Sequence, residues 1–508
     1  MNKHALVSLF AVAFLSLLAS PLWAQTGAPM YVSKPGEEYF DFGDEPIRYI
    51  ENDRVKVGFN LAIGGAVVYL EDKKNNSGNM INSYDWGRQI QLSYYSGPHP
   101  FIGPNGEKPS DSWAGLGWNP IQAGDCGGYG SRVLEFKIIG DDQAFVKARP
   151  MLWPNIGLLA ECVFECRYRL IDNGFELEAT IVNNRSDKTR YSAHGQETPA
   201  LYTNAPWYKL VTYLGDKPYE NEPTSTLVDL RDGNGWPWLN YYSPERWSAL
   251  LNADNYGVGV FQPNSVRAAA GFAGGDGNKG QALGEKDSPT GYIAPHESII
   301  LDWNIKYTYR TTFIVGSLDE IRQTVYSLAQ KEVKKTPAWE FKNDRQNWTY
   351  ANTTDEGWNL QGKGLTFSLL PNESAIANSP DTFWQTKDAD KLEITGDFAG
   401  SDANPVEKLT LIFTPVSPAD ACWYLQWSEG DKDSAKDRAE KEATHPRLPE
   451  FTVEAPLKRA VGGKGWTVTV DLTKVKEYEG AMRRIQIAFP PSEGKVNLKS
   501  VKFSKSAQ

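Results

Sequence analysis

Residues 175–202 read FELEATIVNNRSDKTRYSAHGQETPALY. Phe175, Leu177, Ala179 and Ile181 alternate with Glu176, Glu178 and Thr180, the period-two pattern of a strand with one buried face. Asn183 and Asn184 open a short polar turn, and the chain then returns through SAHGQETPALY. Strand, polar turn and return strand make an antiparallel unit.

The same alternation recurs on both sides of this unit. RVKVGFN, GAVVYLED, RVLEFKII, ECVFECRYRLI, YGVGVFQ and SIILDWNIKYTYRTTFIV all carry it, bounded by Gly, Asn, Asp or Pro. One helix stands out before residue 340, in SLDEIRQTVYSLAQKEV. Ser317 and Glu320 form a capping-box pattern, and Leu318, Ile321, Val325 and Leu328 make one apolar stripe. KKTPAW at 334–339 follows as a linker. Beyond it, GLTFSLL, KLEITGDF, KLTLIFTP, CWYLQW, GWTVTVDLT, RRIQIAF and NLKSVKFSK predict an antiparallel sandwich or jelly roll. The charged run at 429–447 is expected to be a solvated loop or short surface helix.

Residues 1–24 have the pattern of a secretory leader: Lys3 and His4, an apolar run from Ala5 to Ala19, then a small residue, Ala24. A secreted or periplasmic location after cleavage is therefore expected. The apolar run is too short for a comfortable membrane span, and no other stretch approaches that length, so no membrane insertion is expected. The chain carries 63 acidic against 53 basic residues, a net charge of −10, which disfavours nucleic acid as a partner. Of the four cysteines, Cys162 and Cys166 are separated by about 13 Å along a strand and cannot pair with each other. The cysteines read as mostly buried thiols, with at best one long-range bridge such as Cys126–Cys162. No metal or cofactor signature stands out; a structural Ca²⁺ in the C-terminal sandwich would draw on its abundant Asp and carbonyl oxygens.

Aromatic residues make up 12% of the chain, including 17 Trp. Planar rings suit the C–H faces of sugars, and they also suit large β cores. NMINSYDWGRQIQLSYYSGP (79–98) mixes such rings with side-chain amides. Read as a strand, Asp85, Gln89, Gln91 and Ser93 share one face, and Trp86, Arg88, Ile90, Leu92 and Tyr94 the other. Amides and a carboxylate can match hydroxyls that both donate and accept. The first face then lines a sugar groove, or else it is a polar outer face with an Asp85–Arg88 turn pair. The glycine-dense GLGWNPIQAGDCGGYGSR (115–132) offers Trp118, Gln122 and Asp125 as a site rim. GWPWLNYYSPERW (235–247), with Trp238, offers a groove wall. In SAHGQETPALY, His194 and Gln196 share a strand face and Glu197 points away; a bulge at Gly195 would bring His194 and Glu197 together as an acid–base pair. Tyr202 closes that segment. His99 and His296 are the alternative histidines.

The N-terminal half resembles the galactose mutarotase-like family. NLAIGGAVVYLEDKKNNSGNMINS (60–83) is similar to the family's opening, a Gly-rich turn leading into a strand and loop. Residues 175–202 are similar to its strand ending in Asn, polar turn, and return strand with a His-x-Tyr-Phe type motif. The resemblance spans roughly 45–315. It implies an all-β fold, a large antiparallel β-supersandwich at 45–335 after a lead segment at 25–44, closed by the helix at 317–335. A smaller β-sandwich similar to carbohydrate-binding modules follows at 336–508, with Trp358, Trp384, Trp423, Trp427 and Trp466 as candidate platforms. Here His194 precedes Gly195-Gln196-Glu197-Thr198 instead of aromatic residues, so His194 or Glu197 takes the family's acid position. No residue matches the family's C-terminal catalytic Glu. The resemblance thus implies an exported carbohydrate-active protein acting on a poly- or oligosaccharide by acid–base chemistry, glycosidic cleavage foremost. A non-catalytic glycan-capture protein and an aldose 1-epimerase-like isomerase are the alternatives.

Overall fold

A computed structural model describes residues 39–229, 239–273, 284–399, 406–417, 422–424, 448–461 and 463–506. The leader at 1–24, Trp238, Trp427 and the charged run at 429–447 lie outside these residues, as does the side chain of Trp423.

The described chain is all-β apart from helix Leu318–Glu332 and short 3-10 turns. Its strands form three sheets. The first runs Ile47–Glu51, Val55–Asn60, Ala66–Asp72, Ile90–Ser93, His194–Thr203, Thr290–Ile299, Arg267–Ala273, Leu239–Tyr242 and Cys422–Tyr424. The second is centred on Lys306–Ser317, Gly174–Asn183 and Cys162–Ile171, which pair antiparallel in an unbroken register. The alternation in residues 175–181 is the cause. Phe175, Leu177, Ala179 and Ile181 enter the largest apolar core, where they meet Phe59, Leu70, Ile90, Leu92 and Tyr94 of the first sheet.

Ser317 caps the helix through the expected reciprocal box with Glu320. Ile321, Val325 and Ala329 then pack on Trp247, Phe261 and Ile314, covering the outer face of the second sheet. Gly259 makes this approach possible, because a Cβ there would lie 2.6 Å from Ile321.

The third sheet draws its strands from Ala338–Glu340 to Lys495–Ser504 and wraps its own core of Leu392, Ile394, Leu411, Phe413 and Ile487. Trp384 and Trp466 sit in that core, 1% and 2% exposed, so neither is a sugar platform. Trp358 is half-buried against the larger core. Contacts to the first two sheets are numerous. Arg345 reaches Asp302 at 2.5 Å, Asn347 reaches Glu297 at 3.1 Å, and Arg267 reaches Asp381 at 3.3 Å. The strand Cys422–Tyr424 also joins the edge of the first sheet through Leu239–Tyr242. Cys126, Cys162 and Cys166 are free thiols, so the Cys126–Cys162 pairing is not made.

Candidate functional site

The outer face of the first sheet has no covering helix among the described residues. Its residues follow from register. Leu92, Leu201, Ile293 and Ala270 point into the core, so their neighbours in sequence point out. Glu197 lies opposite Ser93 on one side and His296 on the other. Tyr202 lies opposite Tyr292, and Ala269 opposite Ala294. Ala200, Ala269 and Ala294 form a floor of small side chains under Tyr202 and Tyr292.

Glu197 is the centre of this face. The Tyr292 hydroxyl donates to its Oε1 at 2.5 Å and the Tyr95 hydroxyl to its Oε2 at 3.1 Å. Ser93 supplies a third hydroxyl. Burial pushes the carboxyl above its ordinary value, and the three hydroxyls pull it partway back. Tyr95, Glu197, Tyr202 and His296 are each half-buried, so the group keeps an open side. Tyr202 stacks at a tilt on Tyr292, 4.9 Å between ring centres. Its hydroxyl is held well above the usual tyrosine value by burial, then by the charges of Glu197 and Asp85. Asp85 and Arg88 thus belong to the same neighbourhood. They form an ion pair at 3.2 Å, with Asp85 the more exposed partner, and Arg88 lies over the Tyr84 ring and bonds the Ser288 carbonyl.

The expected His194–Glu197 pair is not formed. No bulge occurs at Gly195; the register shift falls between Glu197 and Leu201, around Pro199, which has no N–H to continue the ladder. His194 therefore stays on the inner face, opposite Ile299, with its ring 5.3 Å from that of His99. Burial and then the neighbouring His99 bring its pKa down to about 4. The histidine beside Glu197 is His296, whose ring lies over Gly195; a Cβ there would be 2.7 Å from the imidazole. Burial, then the Arg267 charge, bring the His296 pKa down to about 3, so it is neutral at ordinary pH.

Other expected sugar contacts are corrected in the same way. The segment from Asp85 to Gln89 is a turn, and the strand is only Ile90–Ser93. Gln89 donates to the Asp85 carbonyl at 2.8 Å. Gln91 accepts from Ala123 N–H and donates to the Trp86 carbonyl. Gln122 accepts from Leu92 N–H and donates to the Gly64 carbonyl. Gln196 clamps both backbone groups of Tyr95. Asp125 accepts from the N–H groups of Gly127, Tyr129 and Gly157, and burial pushes its carboxyl up to about 6. These buried groups satisfy backbone that would otherwise be unpaired. Tyr94 and Trp118 are 0% and 1% exposed and fill the core. Tyr95 and Tyr292 are site residues that sequence reasoning missed, while Ser93 lies where the groove-face reading put it. The alternation Tyr292, Ala294, His296 in TGYIAPHESII was the available signal for a shared face.

Among the described residues no group of three or more His, Cys, Asp or Glu is placed to hold a metal ion, and no helix is long and apolar enough to cross a membrane.

No family model and no curated protein matches the chain. Several solved structures of galactose mutarotase-like proteins align with about half of it at low identity. One is a galactose mutarotase-like protein from Lactobacillus casei, with 12% identity, 53% of this chain and 99% of that chain covered, and a TM-score of 0.35. A galactose mutarotase related enzyme from Lactobacillus acidophilus gives 13%, 53% and 97%, with a TM-score of 0.30. A 4-alpha-glucanotransferase from Thermococcus litoralis gives 12%, 56% and 40%, also with a TM-score of 0.30. Likeness at this level carries no argument about chemistry.

Proposed function

We propose that the protein is a carbohydrate-active enzyme that binds sugar on the outer face of its first sheet and moves protons there through Glu197. One observation carries this reading: a half-buried carboxyl whose two oxygens accept tyrosine hydroxyls, above a floor of alanines and beside an aromatic wall. Such a carboxyl is positioned by donors from two segments, residues 93–95 and the strand of Tyr292, and burial holds it above its ordinary value, which favours a group that can carry a proton.

Cleavage of a glycosidic bond between two carboxyls needs a second acid at a set distance across the bond. Glu197 is the carboxyl that the tyrosine hydroxyls fix, and Asp85, the other carboxyl of this neighbourhood, is engaged by Arg88 at 3.2 Å. That favours a reaction of the aldose 1-epimerase type over hydrolysis. Glu197 would take the proton of the anomeric hydroxyl while the neighbouring Tyr202 hydroxyl gives one to the ring oxygen; ring closure returns both protons. On this reading the first two sheets are a mutarotase-like supersandwich and the third an appended sugar-binding sandwich. The leader pattern at residues 1–24 is the support for reading the enzyme as exported.

The test is polarimetry on freshly dissolved α-glucose and α-galactose, with reducing-end release from polysaccharides measured in parallel. Accelerated mutarotation that falls roughly 10²–10⁴-fold in Glu197→Gln, with sugar binding retained, is the expected result. Reducing-end release would return the reading to hydrolysis. Sugar binding with neither activity would leave a capture protein.

A further inference from the structure

A second cleft lies where the end of helix Leu318–Glu332, residues 218–220 and residues 383–388 meet. We propose that it binds an acidic oligosaccharide, a sugar chain bearing carboxylates. Its volume is about 470 Å³, within the range of small-ligand sites.

Charge is the first ground. Arg246, Lys334, Lys335 and Lys387 line the cleft against only Glu220 and Asp388. This local excess of positive charge occurs in a chain of net charge −10. Lys334 and Lys335 follow the helix end, where cations offset the helix dipole whatever else they do. Lys387 comes from the opposite wall, on the single 3-10 turn Thr386–Asp388.

Arg246 is the second ground. It is 7% exposed and is one of the residues that line the cleft. One terminal nitrogen donates to the Pro244 carbonyl at 3.0 Å, and its Nε has no protein partner. Its backbone φ is +61°, and that of Tyr219 beside it is +67°. Two non-glycine residues in the left-handed region at one site are held there by their surroundings. Glu245 does the holding. Its Oε1 accepts from Tyr219 N–H and the Tyr326 hydroxyl, each at 2.8 Å, and its Oε2 from Trp247 Nε1 at 2.7 Å. The Tyr219 and Tyr326 rings meet edge to face, 5.6 Å apart. A fixed guanidinium beside fixed rings suits a carboxylate carried on a sugar ring.

The experiment is calorimetric titration of the full chain with digalacturonate and with galactobiose, its neutral counterpart. Digalacturonate should bind at least about tenfold more tightly at low salt. Lys387→Glu should weaken it by roughly fivefold or more, which places the binding in the cleft and not on the outer face of the first sheet. Circular dichroism checks that the variant is folded, and Lys335→Glu gives a second exposed position to compare. Equal affinity for the two disaccharides would overturn the proposal. So would an unchanged uronate affinity in both variants, or displacement by an equal concentration of sodium sulfate, which would show a simple anion site.

Discussion

Tyr292 donates its hydroxyl to Glu197 from the neighbouring strand at 2.5 Å, with its ring against Tyr202. The bond favours the ionised carboxyl, while burial opposes it. Removing the hydroxyl leaves burial less opposed. Tyr292→Phe should therefore raise the Glu197 pKa further and move the acid limb of the pH–rate profile to higher pH. An unmoved limb in an active Tyr292→Phe variant would separate Glu197 from the titration.

Gly195 is required by a neighbour and not by its own backbone. The His296 ring occupies the space of a Cβ. Gly195→Ala should displace that ring and cost about 1–3 kcal/mol. Urea denaturation measures the cost, and the His296 ring resonances report the displacement. A variant as stable as the wild type, with those resonances in place, would contradict the packing described.

Glu297 is buried beside Ser265 and Asn347, and burial raises its carboxyl to about 7. The folded protein then holds a proton that the unfolded chain releases near pH 4.5. Stability from this group is complete below pH 4.5 and is lost as pH rises through 7, by up to about 3 kcal/mol. Glu297→Gln should remove that slope. Denaturation midpoints compared at pH 5 and pH 8, for wild type and variant, decide it.

Arg345 bonds Asp302 at 2.5 Å and Asp355 at 2.6 Å, and Asp302 also accepts from Trp358 N–H at 3.0 Å. Asp302→Ala should cost about 2–4 kcal/mol, because it leaves a buried guanidinium and an N–H short of a partner. It should also speed proteolysis at 334–342 if that segment links two separable cores. Equal cleavage rates in both proteins would argue that the contact does not restrain the linker.

Strands were legible where one face is buried, as in residues 175–181, and the helix was legible from Ser317 and Glu320 because its cap is local. The turn at Asp85–Gln89 was not, since Gln89 and Gln91 are set by backbone partners that only the folded chain supplies. Asp85, Arg88, Glu197 and Tyr202 were singled out from their residue types, and the fold draws them into one neighbourhood. The partner of Glu197 was misassigned for a specific reason. A bulge one or two residues further along changes which histidine shares its face, and nothing in SAHGQETPALY alone fixes where the register slips.

The strand Cys422–Tyr424 closes the edge left by Leu239–Tyr242, yet it is synthesised about 180 residues later. At ribosomal rates this leaves the sheet edge unpaired for roughly 10–40 s. During that interval the nascent chain presents open backbone donors and acceptors to any other extended segment. A chain truncated before residue 422 should therefore pair edge to edge and aggregate, even though every residue of the outer face around Glu197 is already present.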